Sequence, residues 1–435
     1  MRVFKNSGLP IKFWSFAEKD FPDEHFEQGA LQQVYRLAKL PFAFRHIAVM
    51  PDYHTGYGMP IGGVLATKGV VIPNAVGMDI GCGMCAVKTN LKSINTAGLK
   101  DIMGKIRAVI PVGFDHHKEE QDINLMPNWD KGDIGTDYNF TMIGSERYCY
   151  PIDSGLFEKA LYQLGTLGGG NHFIELQKEI IDCPLCDGGR TINFMSCPEC
   201  NGRRKIDGNI WVMLHSGSRN LGYKVATAHN KIAIDLNKKW YSQVPKEWEL
   251  AFLPIESNEG QGYIKEMNYC LEFAKANRDL MMSRIMQIMG KYNDCTFDKP
   301  INIHHNYATM EHHFGTNVMV HRKGATLARK GTIGIIPGSQ GSKSYIVKGL
   351  GNPESFMSCS HGAGRLMSRT KAIETLNLVE EMKKMDDLGI VHGMRTKNDL
   401  DESSSAYKDI DTVMANQSDL VEIVTELHPI AVIKG

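Results

Sequence analysis

The chain lacks a charge excess of either sign: 49 lysines and arginines stand against 49 aspartates and glutamates among 435 residues. That excludes a global field that pulls in nucleic acid, so any such partner must be gripped by a local basic patch. A run of about twenty apolar residues, enough for a helix to cross a bilayer, is also lacking. Even the least charged stretch, GVVIPNAVGMDIGCGM, carries Pro73, Asn74 and Asp79. The opening MRVFKNSGLPIKFW has no apolar core of a secretory signal. Neither an internal repeat nor a low-complexity linker divides the sequence. A cytoplasmic, reducing compartment without membrane contact is the expectation, and there paired cysteines suggest metal sites more than disulfides.

Cysteine, by contrast, is concentrated. Four of the ten cysteines lie in CPLCDGGRTINFMSCPEC, as Cys183, Cys186, Cys197 and Cys200. Two C-x-x-C knuckles with a polar spacer read as a four-thiolate zinc clip, closed and structural; a redox dithiol is the minor alternative. Asp187, Arg190 and the basic NGRRK (Arg203, Arg204, Lys205) lie on or beside it, a patch suited to RNA phosphates. The remaining cysteines are scattered and read as buried thiols, Cys82 excepted.

Glycine clusters beside β-prone runs, at 61–73, 164–176, 210–222, 317–328 and 332–349. Each reads as a strand entering a polar Gly/Ser turn, the way a rigid sheet presents a site. Ile264, Met267, Leu271, Ala274, Met281, Ile285 and Met289 recur at helical spacing, and their methionines read as core filling. A second helix is expected from about Gly362 through RLMSRTKAIETLNLVEEMKKM, and Thr396–Ala406 (TKNDLDESSSA) reads as a surface loop. Strands and helices mixed without a strict alternation favour an α+β fold.

Several constellations carry chemistry. In GMDIGCGMC, Asp79 and Cys82 place a carboxylate and a thiolate on one tight turn, a pair suited to Mn, Fe, Co or Zn. In LGGGNHFIEL, Asn171, His172 and Glu175 follow three glycines; LHSGSRN brings His215 and Arg219. INIHHNYATMEHHFG supplies four histidines, of which one or two are expected to bind metal. Asp79, Cys82, His172, His215 and His305 together make a two-metal set that one thiolate can bridge. In SCSHGAGRLMSR, His361 precedes glycines that lead into the expected helix, whose positive end would favour an anion and a neutral, nucleophilic imidazole. Arg365 and Arg369 add cations for phosphate. The bland reading there is a glycine-rich helix cap. IPGSQGSKS resembles a phosphate cradle without Walker spacing, and the apolar PIAVI before Lys434 suggests a docked final strand that carries that lysine inward.

In combination and order, MPDYHTGYGMPIGG, GMDIGCGM, LGTLGGGNHFIE, LHSGSRNLG, HHNY, HRKGA, IPGSQGSKSY, SHGAGRLMSR, AYKDID and the terminal VIKG resemble the RtcB family of RNA ligases. The resemblance spans nearly the whole chain, 1–435. It implies one compact α+β domain around a deep metal cleft; the zinc knuckle at 183–204 departs from the family pattern, as an insertion between LGGGNHFIEL and LHSGSRN. It implies a GTP- and Mn-dependent ligase, with two Mn2+ ions. RNA ending in a 3′-phosphate or 2′,3′-cyclic phosphate would be joined to RNA beginning with a 5′-hydroxyl, as in tRNA splicing or RNA repair. By that pattern His361 is the nucleophile that carries GMP, and Asp79, Cys82, His172, His215 and His305 hold the metals. Asn171, Glu175, Asn306, Ser339, Ser344, Ala363, Gly364, Tyr407 and Lys434 would hold guanylate. Arg219, Lys323 and Arg365 would grip RNA phosphates, and His54 would face the cleft. An archease-type activator is a partner the pattern allows. Two rivals stay open: an enzyme that caps or repairs ends by the same guanylyl transfer, and a zinc-finger binding protein on the same scaffold.

Overall fold

The computed structural model describes residues 1–5, 8–15, 28–128, 140–143, 146–149, 152–186, 191–192, 195–201, 203–292 and 294–435. Asp187 and Arg190, named above, lie outside the described residues. Two large sheets organise the rest, and the fold is mixed α+β as the sequence suggests. The first has six strands in the order Arg2–Phe4, Ile11–Phe13, Ala43–His54, Ile61–Thr67, Thr316–Lys323, Asn306–His313. The second has seven: Ile301–His304, Gly83–Lys88, Lys205–Ser216, Phe173–Asp182, Val421–Lys434, Ser344–Gly349, Ile333–Ile336. The chain crosses from the second sheet to the first at one residue, His305, between the strands Ile301–His304 and Asn306–His313.

The central strands of the seven-stranded sheet are covered by the helix Asn258–Met289, started by Ser257, whose hydroxyl accepts from the Gly260 amide at 3.0 Å. Its apolar stripe does what the spacing predicts: Met267, Ala274, Met281, Ile285 and Met289 are buried, with Ile264 and Leu271 at the margin. It packs on the helix Arg219–Lys239 through Leu221, Val225 and Ile232, and on the sheet through Val87, Val212 and Leu214. Three polar residues are buried in the same helix; Glu266 pairs with His229 at 2.6 Å, and the other two break the stripe further on. Asn277 and Arg278 are fully buried, and both reach the loops at the end of the sheet.

Three expectations need correcting. The segment after His361 is not helical. It runs as a loop to Ser368, which caps a short helix, Arg369–Thr375, and Asn377 caps a separate one, Leu378–Asp387. The cause is local. Gly364 sits at φ +77°, pressed against the Asp52 backbone where a Cβ would stand 2.0 Å from the carbonyl oxygen. Arg365 then bridges to Tyr407, which commits the backbone to an extended path. Second, Thr396–Ala406 is not a surface loop. It folds into two short 3₁₀ turns, Lys397–Glu402 and Ser404–Ala406, with Leu400, Glu402, Ser403 and Ala406 buried. Third, at 164–176 no strand leads into the glycines; the strand is the run after them, Phe173–Asp182, as LGGGNHFIEL itself suggests. Among the described residues no helix is long and apolar enough to cross a membrane.

Candidate metal and nucleotide site

The C-terminal end of the strand Lys205–Ser216 supplies His215, opposite Phe173 at the start of the neighbouring strand. His172 lies one residue before that start. Asp79 and Cys82 sit on the turn that enters the strand Gly83–Lys88, and His305 at the crossing between sheets. Antiparallel pairing thus brings five residues, up to 226 positions apart (305 − 79), to one end of one sheet. Asp79, Cys82 and His172 form one triad whose ligand atoms lie within 4.8 Å of one another; Cys82, His215 and His305 form a second. Cys82 belongs to both. Its Sγ lies 3.1 Å from His215 Nε2 and 3.5 Å from His172 Nε2.

The donor set is arranged for cations. His172 Nδ1–H donates to the Leu167 carbonyl at 2.9 Å and His215 Nδ1–H to that of Asn171 at 3.0 Å. Each carbonyl fixes its ring's tautomer and leaves the Nε2 lone pair pointing inward. That puts His172 Nε2 3.3 Å from an Asp79 carboxylate oxygen, and His215 Nε2 3.3 Å from His305 Nε2. With no partner at Nδ1 among the described residues, His305 can donate its Nε2–H to His215 when no metal is bound and turn a lone pair to a cation when one is. Burial holds His215 and His305 well below the ordinary histidine range, in the neutral form that ligates metal. Burial and the Asp79 charge push the Cys82 thiol up, a cost that a divalent ion reverses. A borderline metal bound by one thiolate, three imidazoles and a carboxylate fits these residues.

What holds these loops is the polar break in the long helix. Arg278 donates through Nη1 to the carbonyls of Gly81 and Ser216, both at 2.9 Å. Asn277 Nδ2 donates to Thr166, Ser216 and Gly217, while its oxygen accepts from the Gly165 and Thr166 amides. Two consecutive side chains therefore pin all the turns carrying Cys82, His172 and His215. Of the other histidines in the HH…HH stretch, none joins the cluster. His304 lies on Gly81 and Arg278, His313 pairs with Glu311, and exposed His312 meets Asn317.

Beside the triads opens a cleft of about 540 Å³. Asn171, Glu175, Ser339, Ala363, Gly364, Tyr407, Lys434, His54 and His361 line it. The strand Val421–Lys434 carries Lys434 inward, as its apolar approach suggests. Burial pushes Glu175 up to about 7, opposed by its Gln177 hydrogen bond and the Lys434 charge. Glu402 closes the far wall. Fully enclosed, it accepts from Arg365 at 3.1 Å, from Arg369 at 2.9 Å and from the Tyr407 hydroxyl, and it lies 3.8 Å from Lys434.

His361 lines the cleft beside the metal-suited triads. Its ring centroid is 4.8 Å from that of His305, edge to face. One oxygen of Asp52, from the six-stranded sheet, accepts from His361 Nδ1 at 2.6 Å and from the His361 and Gly362 amides at 3.0 and 3.4 Å. Asp52 is fully buried, so this carboxylate, not a helix dipole, sets the imidazole. With Nδ1–H donating, Nε2 is left with its lone pair toward the cleft.

Five residues expected to meet ligand have protein partners here, and of them only Arg365 lines the cleft. Lys323 is buried, its ammonium on the carbonyls of Tyr57 and Asn74 at 2.6 and 3.0 Å; burial lowers it to about 7. Arg365 spends its guanidinium on Glu402, Tyr407, Met367 and Asp401. Asn306 ties the Asp79 carbonyl to the Gly324 amide, and Ser344 meets Gln177 and the Gly338 amide behind the cleft. Arg219 reaches Thr166, Gly113 and the outer side of His172. Asp52, Glu402, Asn277 and Arg278 are the residues that reading the sequence missed. The sequence signal for Asp52 is the PDYHTG stretch, two residues before His54.

A family model described as tRNA-splicing ligase RtcB matches residues 33–435. An RNA-splicing ligase RtcB of Escherichia coli K12 is 36% identical over 452 aligned positions, covering 100% of this chain and 99% of its own length. A tRNA-splicing ligase RtcB of Nanoarchaeum equitans is 32% identical, covering 98% and 96%. An RNA-splicing ligase RtcB of Mycobacterium tuberculosis is 30% identical, covering 93% and 100%. Aligned along almost its whole length with bacterial and archaeal proteins so named, the chain belongs to the RtcB family.

Proposed function

We propose that the protein is an RNA ligase that uses GTP and Mn2+ to join a 3′-phosphate, or a 2′,3′-cyclic phosphate opened first by hydrolysis, to a 5′-hydroxyl. The observation that carries this reading is His361: a histidine clamped at Nδ1 by a buried carboxylate, with Nε2 open to a cleft that shares a wall with two metal-suited triads.

Asp52 keeps the proton on Nδ1, so Nε2 attacks the α-phosphorus of GTP and pyrophosphate leaves with the electrons of the broken P–O bond. Asp52 also stabilises the positive charge that the ring gains, as a carboxylate behind an attacking or proton-accepting imidazole does. Glu175 accepts hydrogen bonds from the guanine edge, and Lys434, Tyr407 and Ser339 complete the nucleotide's surroundings. An oxygen of the RNA 3′-phosphate then attacks the histidine-bound phosphorus, which frees His361 and leaves GMP on the RNA end. The 5′-hydroxyl attacks the RNA 3′-phosphorus and expels GMP. Asp79, Cys82, His172, His215 and His305 would hold the two ions, which when bound supply Lewis-acid neutralisation of phosphoryl charge. Arg219, at the outer edge of His172, is the candidate for an RNA phosphate. An archease-type activator is compatible with this chemistry.

The test is purified protein with Mn2+, radiolabelled GTP and 3′-phosphate RNA, with and without a 5′-hydroxyl strand. The expected result is acid-labile, hydroxylamine-sensitive GMP on the protein, then joined RNA. Absence of covalent GMP sinks the reading. GMP-capped RNA that never joins would favour the end-capping enzyme instead.

A further inference from the structure

The connection between the strands Phe173–Asp182 and Lys205–Ser216 takes no part in that chemistry. It leaves the sheet at the end away from the cleft, roughly 30 Å along a ten-residue strand. A two-residue hairpin loop sets register by its turn type, but a connection over residues 183–204 is too long to do so. Register matters here because a slip of one residue would turn Glu175 and His215 to the opposite face.

Something in the connection must therefore hold its two ends. Among the described residues its only cluster is Cys183, Cys197 and Cys200, all without exposed surface, with Cys186 and Ile206 against them. The sulfurs converge: Cys183 and Cys197 are 3.7 Å apart, Cys186 and Cys200 3.6 Å, and all four lie within 4.8 Å of one another. A disulfide needs about 2.05 Å, whereas a tetrahedron of Zn–S bonds of about 2.3 Å sets sulfurs about 3.8 Å apart. The backbone is shaped to match. Amide hydrogens of Leu185 and Cys186 point at Cys183 Sγ, and that of Arg204 at Cys200 Sγ, as amides do around thiolates. Asn201 and Arg204 take left-handed φ values of 49° and 70° to make these turns. The Cys183 amide donates to the Arg204 carbonyl at 2.7 Å, joining the two knuckles to the two strands.

We propose that Cys183, Cys186, Cys197 and Cys200 bind one Zn2+ as a closed tetrathiolate site that locks the register of the strand pair carrying Glu175 and His215. The four thiols release their protons as the metal binds. No coordination position is left for water, so the site is structural, and it is independent of the guanylyl-transfer reading.

Zinc is measured in the purified full chain after dialysis against EDTA, which strips an open cleft before a closed tetrathiolate. One zinc per chain is expected in wild type and in Cys82→Ala, and none in the Cys183→Ser/Cys197→Ser double variant. Cys197→His preserves four ligands and should retain zinc, which separates ligand loss from misfolding. Cobalt in place of zinc should give thiolate-to-cobalt charge transfer and the intense visible bands of a tetrahedral site, also in Cys82→Ala. Removing zinc with a mercurial should speed amide exchange in Ile180–Asp182 and Lys205–Asp207. Zinc-free wild type, thiol hydrogens missing from the intact mass, or exchange at those strand ends unmoved by zinc removal would each overturn the proposal.

Discussion

The two ends of one strand pair carry two different kinds of thiol site. At the inner end a single cysteine, Cys82, is shared by two triads whose other members are a carboxylate and three imidazoles. At the outer end four cysteines face one another, with the Glu199 carboxylate 3.6 Å from Cys183 Sγ. Mixed donors leave an incomplete shell, with room beside it for a nucleotide and a nucleophile. Identical soft donors close the shell and exclude a substrate. Cysteine count alone would rank the sites in the wrong order of importance, because reactivity follows from what is left open.

Substitutions can break this contrast. The largest effect is expected for His361→Ala: covalent GMP falls to background by radiolabel while zinc content stays at one per chain. Asp52→Asn comes next. An asparagine can present its oxygen or its amide to Nδ1 but carries no charge, so guanylylation should fall on the order of 10²–10⁴-fold in single-turnover kinetics. GTP affinity by equilibrium binding should barely move; a parallel loss of binding would mean that Asp52 merely shapes the cleft. Cys82→Ser should lower the same rate by at least about 10²-fold, and raising Mn2+ should recover part of it.

The knuckle variant Cys183→Ser/Cys197→Ser sharpens the comparison from the other side. Its Tm should fall, yet guanylylation should change by less than the roughly tenfold that corresponds to 1.4 kcal/mol. Collapse of guanylylation in a protein still folded by circular dichroism would make the knuckle part of the active site. The smallest effect concerns Glu175. Burial raises its carboxyl to about 7, so the folded state without nucleotide favours the proton. The stabilisation is complete in acid, below the unfolded glutamate value, and is lost as pH rises to about 7. Glu175→Gln should erase that dependence, so the Tm difference between variant and wild type should widen in the variant's favour up to neutral pH. A constant difference would show that Glu175 stays charged throughout.

Much of this was legible because short motifs carried it. The Gly turns with Asp79, Cys82, His172, His215 and His361 announce themselves by composition, and the helix Asn258–Met289 by period. What was hidden has a common physical character. Asp52 reaches His361 from the end of the strand Ala43–His54, and its partner lies 309 residues on. Glu402 sits in DLDESSS, whose polarity mimics a surface loop; only the convergence of Arg365, Arg369, Tyr407 and Lys434 lets a carboxylate stay buried there. Asn277 and Arg278 interrupt a helix stripe that period analysis treats as packing. The false helix after His361 came from reading Gly-Ala-Gly as a helix start, where Gly364 instead serves a close approach of two backbones.

That close approach has a consequence for how the molecule fails. The metal-suited residues belong to the seven-stranded sheet and its loops, Asp52 to the six-stranded sheet, and His305 to the chain's passage between them. His361 and the two metal-suited triads are thus brought together where the two sheets meet, with Gly364 as the bare contact surface against the Asp52 backbone. A side chain added at Gly364 would push the loop after His361 away from Asp52 while leaving each sheet's hydrogen bonds and core intact. Inactivation without unfolding, invisible to a melting curve, is the characteristic lesion of an active site built on a joint.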